Sequence, residues 1–194
     1  MLKSLYSHKN PAFQEMKDQK ILTQWNVITG GPCTGKTTVV NILAHRGYKT
    51  TIEYARHYID MQKIQGRTVE EIRRNKKEFQ LSVLNMQIAE ENSLNPHETA
   101  FLDRALPDAM AYYQFLGLEY DELLIQQCHK YSYHRVFILD RLPLTNDYAR
   151  LEDESEQLRI HQLIIEVYKN LNVPLVYVPV LPPEERVDFI LKNI

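Results

Sequence analysis

Hydrophobic positions along this chain follow two rhythms. Short apolar runs recur, and between them lie longer stretches with an apolar residue every third or fourth position. The first run, WNVIT at 25–29, leads directly into a glycine-rich turn, GGPCTGKTT at 30–38. TTVVNILAHRG at 37–47 then predicts a helix, with Val40, Leu43 and Ala44 at helical spacing and Gly47 as its stop. YKTTI (48–52) predicts a second strand, and EYARHYIDMQKIQ (53–65) a helix ending at Gly66. Thr68, with Glu71 three residues on, reads as a capping box that opens one helix running to about Asn92. Its apolar face is Val69, Ile72, Phe79, Val83 and Met86, and the opposite face, RRNKKE, is expected to be solvated. ETAFLD (98–103) is the third strand, followed by helices at about 107–116 and 120–129. HRVFILD (134–140) is the fourth strand, LPLTNDYARLEDE (142–154) a polar connection, and SEQLRIHQLIIEVYKNL (155–171) a helix. PLVYVPV (174–180) is the fifth strand, and PPEERVDFILKNI (182–194) a last helix with prolines at its start.

Strands alternate with helices throughout, and runs such as AFLD and RVFIL are apolar enough to be buried on both faces. The fold class is therefore α/β around a central, mostly parallel sheet of five strands. Residues 1–22 are polar, mixed in charge and interrupted by Pro11, and read as an N-terminal extension; 23–194 read as one domain. The length of 194 residues suits that division.

Composition narrows the function. Lys and Arg total 23 against 25 Asp and Glu, a net charge of -2, which gives no general attraction to nucleic acid. Two cysteines, Cys33 and Cys128, make neither a disulfide framework nor a four-ligand zinc site, so a reducing cytoplasm is expected. No apolar run is long enough for a signal peptide or a spanning helix, and a soluble cytoplasmic protein is expected.

The strongest chemical signal is Gly30–Gly31–Pro32–Cys33–Thr34–Gly35–Lys36–Thr37, followed by Thr38, which satisfies the phosphate-loop pattern GxxxxGK[ST] with a strand before it and a helix after. Glycines let the backbone curl so that its N–H groups face one concavity, and the helix start adds its partial positive charge. Lys36 is placed to reach the β- and γ-phosphates of ATP, and Thr37 to hold Mg²⁺ through its hydroxyl. Cys33 reads as a small filler, or as a redox-sensitive thiol under the field of the helix end.

Other residues set the branch. Asn75–Lys76–Lys77–Glu78 falls inside a helix rather than after a strand, so no base-reading GTPase motif is present, and neither is a transporter signature. Small-molecule kinases remain. Asp103 ends the third strand, where a carboxylate can hold Mg²⁺ or orient an acceptor hydroxyl. Arg104 is positioned to neutralise a phosphate or grip the acceptor, and Asp108 to cap the next helix or reach the acceptor pocket. Glu53 follows the second strand, and Arg56 shares its helix face; the pair is a candidate for acceptor binding. Arg141, Asp147, Arg150 and Arg159 lie in or near the connection after the fourth strand. Phosphoryl transfer needs positive charge and exclusion of water, which gives Arg150 a catalytic reading and Asp147 an acceptor-side one. The edge after the fifth strand, VPVLPP, is where such folds hold the adenine base.

GGPCTGKTT, EYARHYI, FLDRALPDAMAYY, NDYAR and PLVYVPVLPPEERVDFIL follow one another in that order. In these segments the chain resembles, over about residues 24–194, the AAA-type ATPase domain shared by the ribosylnicotinamide kinase half of the NAD-biosynthesis regulator and by the TRPL translocation defect protein. The resemblance implies a three-layer α/β/α phosphate-loop domain of the nucleotide-kinase type, with ATP and Mg²⁺ as ligands. It maps phosphate binding onto Gly30, Gly35, Lys36 and Thr37, and draws attention to Glu53, Arg56, Asp103, Arg104, Asp108, Asp147 and Arg150. It also raises GTP as an alternative nucleotide. The expectation is a Mg²⁺-dependent kinase in which Thr37 and Asp103 manage the metal, Glu53 or Asp103 orients the acceptor hydroxyl, and Arg104 and Arg150 stabilise charge on a nucleoside-like acceptor's reaction. The alternative is a nucleotide-dependent switch, or a plain ATPase, with a protein or lipid partner.

Overall fold

The computed structural model describes residues 20–142 and 152–194. Five strands form one sheet: β2 (Trp25–Thr29), β3 (Lys49–Thr50), β4 (Ala100–Asp103), β6 (Arg135–Leu139) and β7 (Leu175–Val178). Their order is β3-β4-β2-β6-β7, and every neighbouring pair is parallel. Two short strands outside it, β1 (Ile21–Leu22) and β5 (Tyr131–Ser132), pair parallel with each other. The extension expected to end at 22 therefore has its last residues tied to the body, and Thr23 continues the tie by donating its N–H to the Ser132 carbonyl.

The helices are α1 (Lys36–His45), α2 (Tyr54–Ile64), α3 (Val69–Arg74), α4 (Lys76–Ser93), α5 (Leu106–Leu116), α6 (Glu122–Lys130), α7 (Glu154–Asn170) and α8 (Pro183–Lys192). Alternate sheet residues feed two cores, because side chains of a strand point to opposite faces. Ile28, Phe101, Phe137 and Val178 pack with Val39 and Leu43 of α1 and with Val187 and Ile190 of α8. Trp25, Val27, Leu102, Val136 and Ile138 pack on the other face with α4, α5, α6 and α7. This is the three-layer α/β/α arrangement, and the doubly buried strands are the reason the apolar runs were continuous rather than alternating. Chain order reverses at β2, whose neighbours are β4 and β6, so a crevice opens beyond its C-terminal end.

The single helix expected from 68 to 92 is two. Asn75 ends α3 and caps α4: its backbone leaves the helical region (φ -90°, ψ 88°), and its side chain accepts from the Glu78 N–H at 3.2 Å while donating to the Glu78 carboxylate at 3.1 Å. The Thr68–Glu71 capping box at the start of α3 is formed as expected. The charged RRNKKE face is not uniformly solvated. Arg73 lies over the Phe79 ring, 5.5 Å from its centroid, and pairs with Glu152 at 2.6 Å.

The buried residues of α4 also differ from the apolar face read in the sequence. They are Phe79, Gln80, Leu84, Gln87 and Glu91, whereas Val83 and Met86 are only half-buried. Core demand at this position is not purely apolar, so counting hydrophobic residues locates the wrong stripe.

Candidate functional site

The chain leaves β2 at Thr29 and turns through residues 30–35 before α1 begins at Lys36. Two backbone positions require what only some residues tolerate. Gly35 sits at φ 78° and Cys33 at φ 57°, both left-handed. Gly31 is constrained differently: a Cβ there would lie 2.8 Å from the His161 Cβ on α7. The Gly31 N–H donates to His161 Nδ1 at 3.0 Å, which requires a neutral ring unprotonated at that nitrogen. Burial, with Arg141 and Lys36 nearby, lowers the pKa of His161 and favours that form.

Lys36 is buried, and its ammonium donates to the Gly31 carbonyl at 2.8 Å and the Thr34 hydroxyl at 3.2 Å. Burial, reinforced by Arg104, lowers its pKa to about 8. Thr37 and Thr38 are exposed in the first turn of α1 and line the same cavity as Lys36. Cys33 is buried, and its carbonyl accepts from Leu142 N–H at 2.8 Å.

Asp103 ends β4 beside the loop and is 2% exposed, yet its Oδ1 has no hydrogen-bond partner among the described residues. Burial and then Glu53 push its pKa up to about 7, against the pull of Lys36 and Arg104. Arg104 adopts φ 66°, a left-handed conformation that costs about 1 kcal/mol or more in a non-glycine residue. The conformation puts its guanidinium 3.2 Å from the Gly30 carbonyl and 3.1 Å from Asp108 Oδ1, with Nε 3.7 Å from Glu53 Oε1. Its plane lies over the Tyr112 ring at 5.4 Å. Glu53 also faces Arg56, at 3.6 Å.

Asp108 has the fullest set of partners. One oxygen accepts from the Thr29 hydroxyl and from Arg104; the other accepts from the Ala105 N–H at 3.1 Å and the Tyr168 hydroxyl at 2.6 Å. Asp108 thus caps α5 and forms a hub joining β2, α5 and α7, and it borders the cavity as well.

One cavity of about 750 Å³ joins these groups. It begins at Pro32–Thr38 and is walled by α2, α4 and α5, so Glu53, Arg56, Asp103, Arg104 and Asp108 all border it. Asp147 and Arg150 lie outside the described residues. Arg159 is exposed on α7 and does not border the cavity.

Four features were not read from the sequence. Arg73 and Glu152 border the cavity and bridge α3 to the segment before α7. Gln80 and Gln87 project to it from α4. His161 holds Gly31. Arg186, 2% exposed, donates to three carbonyls: Thr34 at 2.6 Å, Pro179 at 3.0 Å and Asp140 at 3.1 Å. It ties the phosphate loop to the ends of β6 and β7. The only sequence signal for it was a lone arginine at the apolar spacing of α8, four before Ile190.

A family model described as an AAA domain matches residues 25–186. No curated protein matches the sequence. Solved structures share the fold at low identity. A deoxyadenosine kinase from M. mycoides superposes with a TM-score of 0.59 at 15% identity, covering 87% of this chain and 97% of its own. A thymidylate kinase from Ehrlichia chaffeensis gives a TM-score of 0.61 at 13% identity, covering 87% of this chain and 96% of its own. A NadR protein in complex with NR gives 0.60 at 16% identity; 98% of this chain is covered, but only 58% of that protein. None of the described helices is long and apolar enough to cross a membrane. With a phosphate loop at the switch point of a parallel sheet and a family match across most of its length, the chain belongs to the AAA domain family of phosphate-loop proteins and has a nucleotide-kinase-like fold.

Proposed function

We propose that this domain transfers the γ-phosphoryl group of ATP to a hydroxyl of a small nucleoside-like acceptor. The observation that carries the reading is the continuity of the cavity: the phosphate loop and a second, deeper wall from α2, α4 and α5 share one space of about 750 Å³. A plain ATPase needs the first wall only.

The loop amides and Lys36 take the phosphates, Lys36 exchanging its loop oxygens for phosphate oxygens. The donor set fits Mg²⁺: the Thr37 hydroxyl is exposed at the start of α1, and Asp103 keeps an unpartnered carboxylate oxygen beside the loop. Bound there, the metal would neutralise phosphate charge. Glu53, fixed between Arg56 and Arg104, orients the acceptor hydroxyl and receives its proton as the new O–P bond forms and ADP leaves. Arg104 stabilises charge on the transferred group, a role that sequence grounds alone extend to Arg150.

The test is ADP release from Mg·ATP with and without a panel of nucleosides, using Lys36→Ala as the blank. A many-fold stimulation by one acceptor is expected. A flat, slow rate across the panel with nucleotide still bound would instead indicate a switch.

A further inference from the structure

The turn that presents Arg104 has few means of holding its own shape. It leaves β4 at Asp103 and enters α5 at Leu106, with Arg104 left-handed between them. Ala105, at the cap position of α5, has no side-chain oxygen to offer the helix start. Ala105 and Leu106 are fully buried, so water does not satisfy their backbone. Successive N–H groups therefore find their acceptors inside the protein. The Arg104 N–H donates to the Ile28 carbonyl at 3.1 Å, and the Ala105 N–H to Asp108 Oδ2 at 3.1 Å. The Leu106 N–H donates to Glu91 Oε1 at 2.9 Å. The first two acceptors belong to β2 and to α5 itself; the third comes from α4. Pro107, next in line, has no N–H to place.

Glu91 ends the inward stripe of α4, is buried, and does not border the cavity. Its other oxygen accepts from the Tyr133 hydroxyl at 2.8 Å, which holds the carboxyl in place. Burial pushes its pKa up to about 8, so it carries a proton at neutral pH and adds no charge to its surroundings. What it adds is an acceptor at one fixed point. A left-handed residue other than glycine persists only where its surroundings over-determine it. Here the N–H of Arg104 and the two that follow are pinned to three different elements. The guanidinium is thereby aimed at the Gly30 carbonyl and Asp108.

We infer that Glu91 is a positioning residue for Arg104: by accepting the Leu106 N–H it holds the β4–α5 turn in the conformation that delivers the guanidinium to the transferred phosphoryl group. Glu91 touches no ligand itself. Only the delivery step rests on the proposed phosphoryl transfer; the hold on the turn rests on the hydrogen bonds.

The experiment uses the full chain and reads two quantities, backbone amide exchange by NMR and ADP release from Mg·ATP with the nucleoside panel. Glu91→Met removes the acceptor. Exchange of the Leu106, Ala105 and Arg104 N–H groups is expected to quicken about tenfold or more. With it kcat falls about tenfold or more, while KM for Mg·ATP stays within about twofold. Glu91→Gln keeps an oxygen at the same point and restores both readings. Tyr133→Phe removes the other contact of Glu91 and leaves the Leu106 N–H satisfied, so the thermal midpoint falls while kcat stays within about twofold. In an Arg104→Met background, Glu91→Met changes kcat less than about twofold, because the group it positions is gone.

Unaltered exchange at Ala105 and Arg104, unaltered kcat in Glu91→Met or in Arg104→Met, a loss of kcat in Tyr133→Phe as large as in Glu91→Met, or an undiminished effect in the Arg104→Met background would overturn the assignment. Glu91→Leu replaces Glu91→Met, with the same expected results, if the methionine variant does not fold. Should no nucleoside stimulate ADP release, the phosphoryl-transfer reading fails separately. The hold on the turn then stands if exchange quickens in Glu91→Met and recovers in Glu91→Gln, and falls if it does not.

Discussion

At the phosphate-loop end of the cavity, Lys36 is held by the Gly31 carbonyl and the Thr34 hydroxyl, the Gly31 N–H by His161, and the Thr34 carbonyl by Arg186. At the α4 wall, Gln80 and Gln87 are held by no described residue. The first region is kept in shape by contacts from α7 and α8 before any ligand arrives. The second leaves polar groups open. A phosphate group is the same in every nucleotide, so a rigid receptor serves it; under the proposed transfer an acceptor would have to be told apart from its analogues, which calls for a wall whose polar groups are open to a ligand.

The largest break in this comparison is at the rigid end. Lys36→Met removes a charged donor from a buried site and is expected to weaken Mg·ATP binding at least about a hundredfold, on the order of 3 kcal/mol, measured by nucleotide titration. Folding should not suffer, since Lys36 is a desolvated cation whose removal relieves burial. Comparable affinity in the variant would remove Lys36 from the phosphate site.

Arg186→Met tests whether the rigidity is imposed from outside the loop. Three carbonyls, that of buried Thr34 among them, lose their donor at once, which is expected to cost about 2–3 kcal/mol of stability. In a domain of this size that lowers the thermal midpoint by roughly 4–12 °C. Nucleotide affinity should fall with it, because the Thr34 carbonyl sits inside the loop. A variant with lowered midpoint but unaltered affinity would show that the loop holds its own shape.

The same contrast explains what the sequence made legible. The phosphate loop is one contiguous segment, and its glycines, lysine and threonine act where they stand in the chain. The strands were equally plain, since AFLD and RVFIL are buried on both faces and read as unbroken apolar runs. Arg186 was not legible: its partners lie 152, 46 and 7 residues away, and none is a side chain. Gln80 and Gln87 were hidden by the assumption that the buried face of a helix is its apolar face. The α3–α4 break has a local signal. Asn75 with Glu78 three residues on is a helix start, but the Thr68–Glu71 box seven residues earlier already supplies one for the same apolar stretch.

Glu91 sharpens the comparison from within the α4 stripe, because it is the buried polar residue there that does have partners. Burial pushes its pKa up to about 8, so the folded state holds a proton that the unfolded chain releases near 4.5. The resulting stability is full below about 4.5 and is lost as pH rises through about 8. The slope between those limits is at most about 1.4 kcal/mol per pH unit. Glu91→Gln should flatten the contribution, which urea unfolding at pH 5 and pH 8 would detect. An equal pH dependence in the variant would mean that Glu91 is charged when buried.

The smallest effect concerns the tie between the two regions. Arg73 and Glu152 are 19% and 11% exposed, 2.6 Å apart, and they join α3 to the segment leading into α7, the helix that carries His161. A pair so placed is neither a surface bridge of negligible worth nor a fully buried one, and about 1 kcal/mol of coupling is expected. A double-mutant cycle with Arg73→Ala and Glu152→Ala, read by urea unfolding, isolates that term. Because the guanidinium also covers Phe79, Arg73→Ala should cost more than Glu152→Ala. Strictly additive mutants would leave the α4 side of the cavity and the phosphate loop without energetic connection through this pair. Coupling near 1 kcal/mol that disappears at high salt would place the pair in solvent, and coupling that persists would make it the strut across the open side of the cavity.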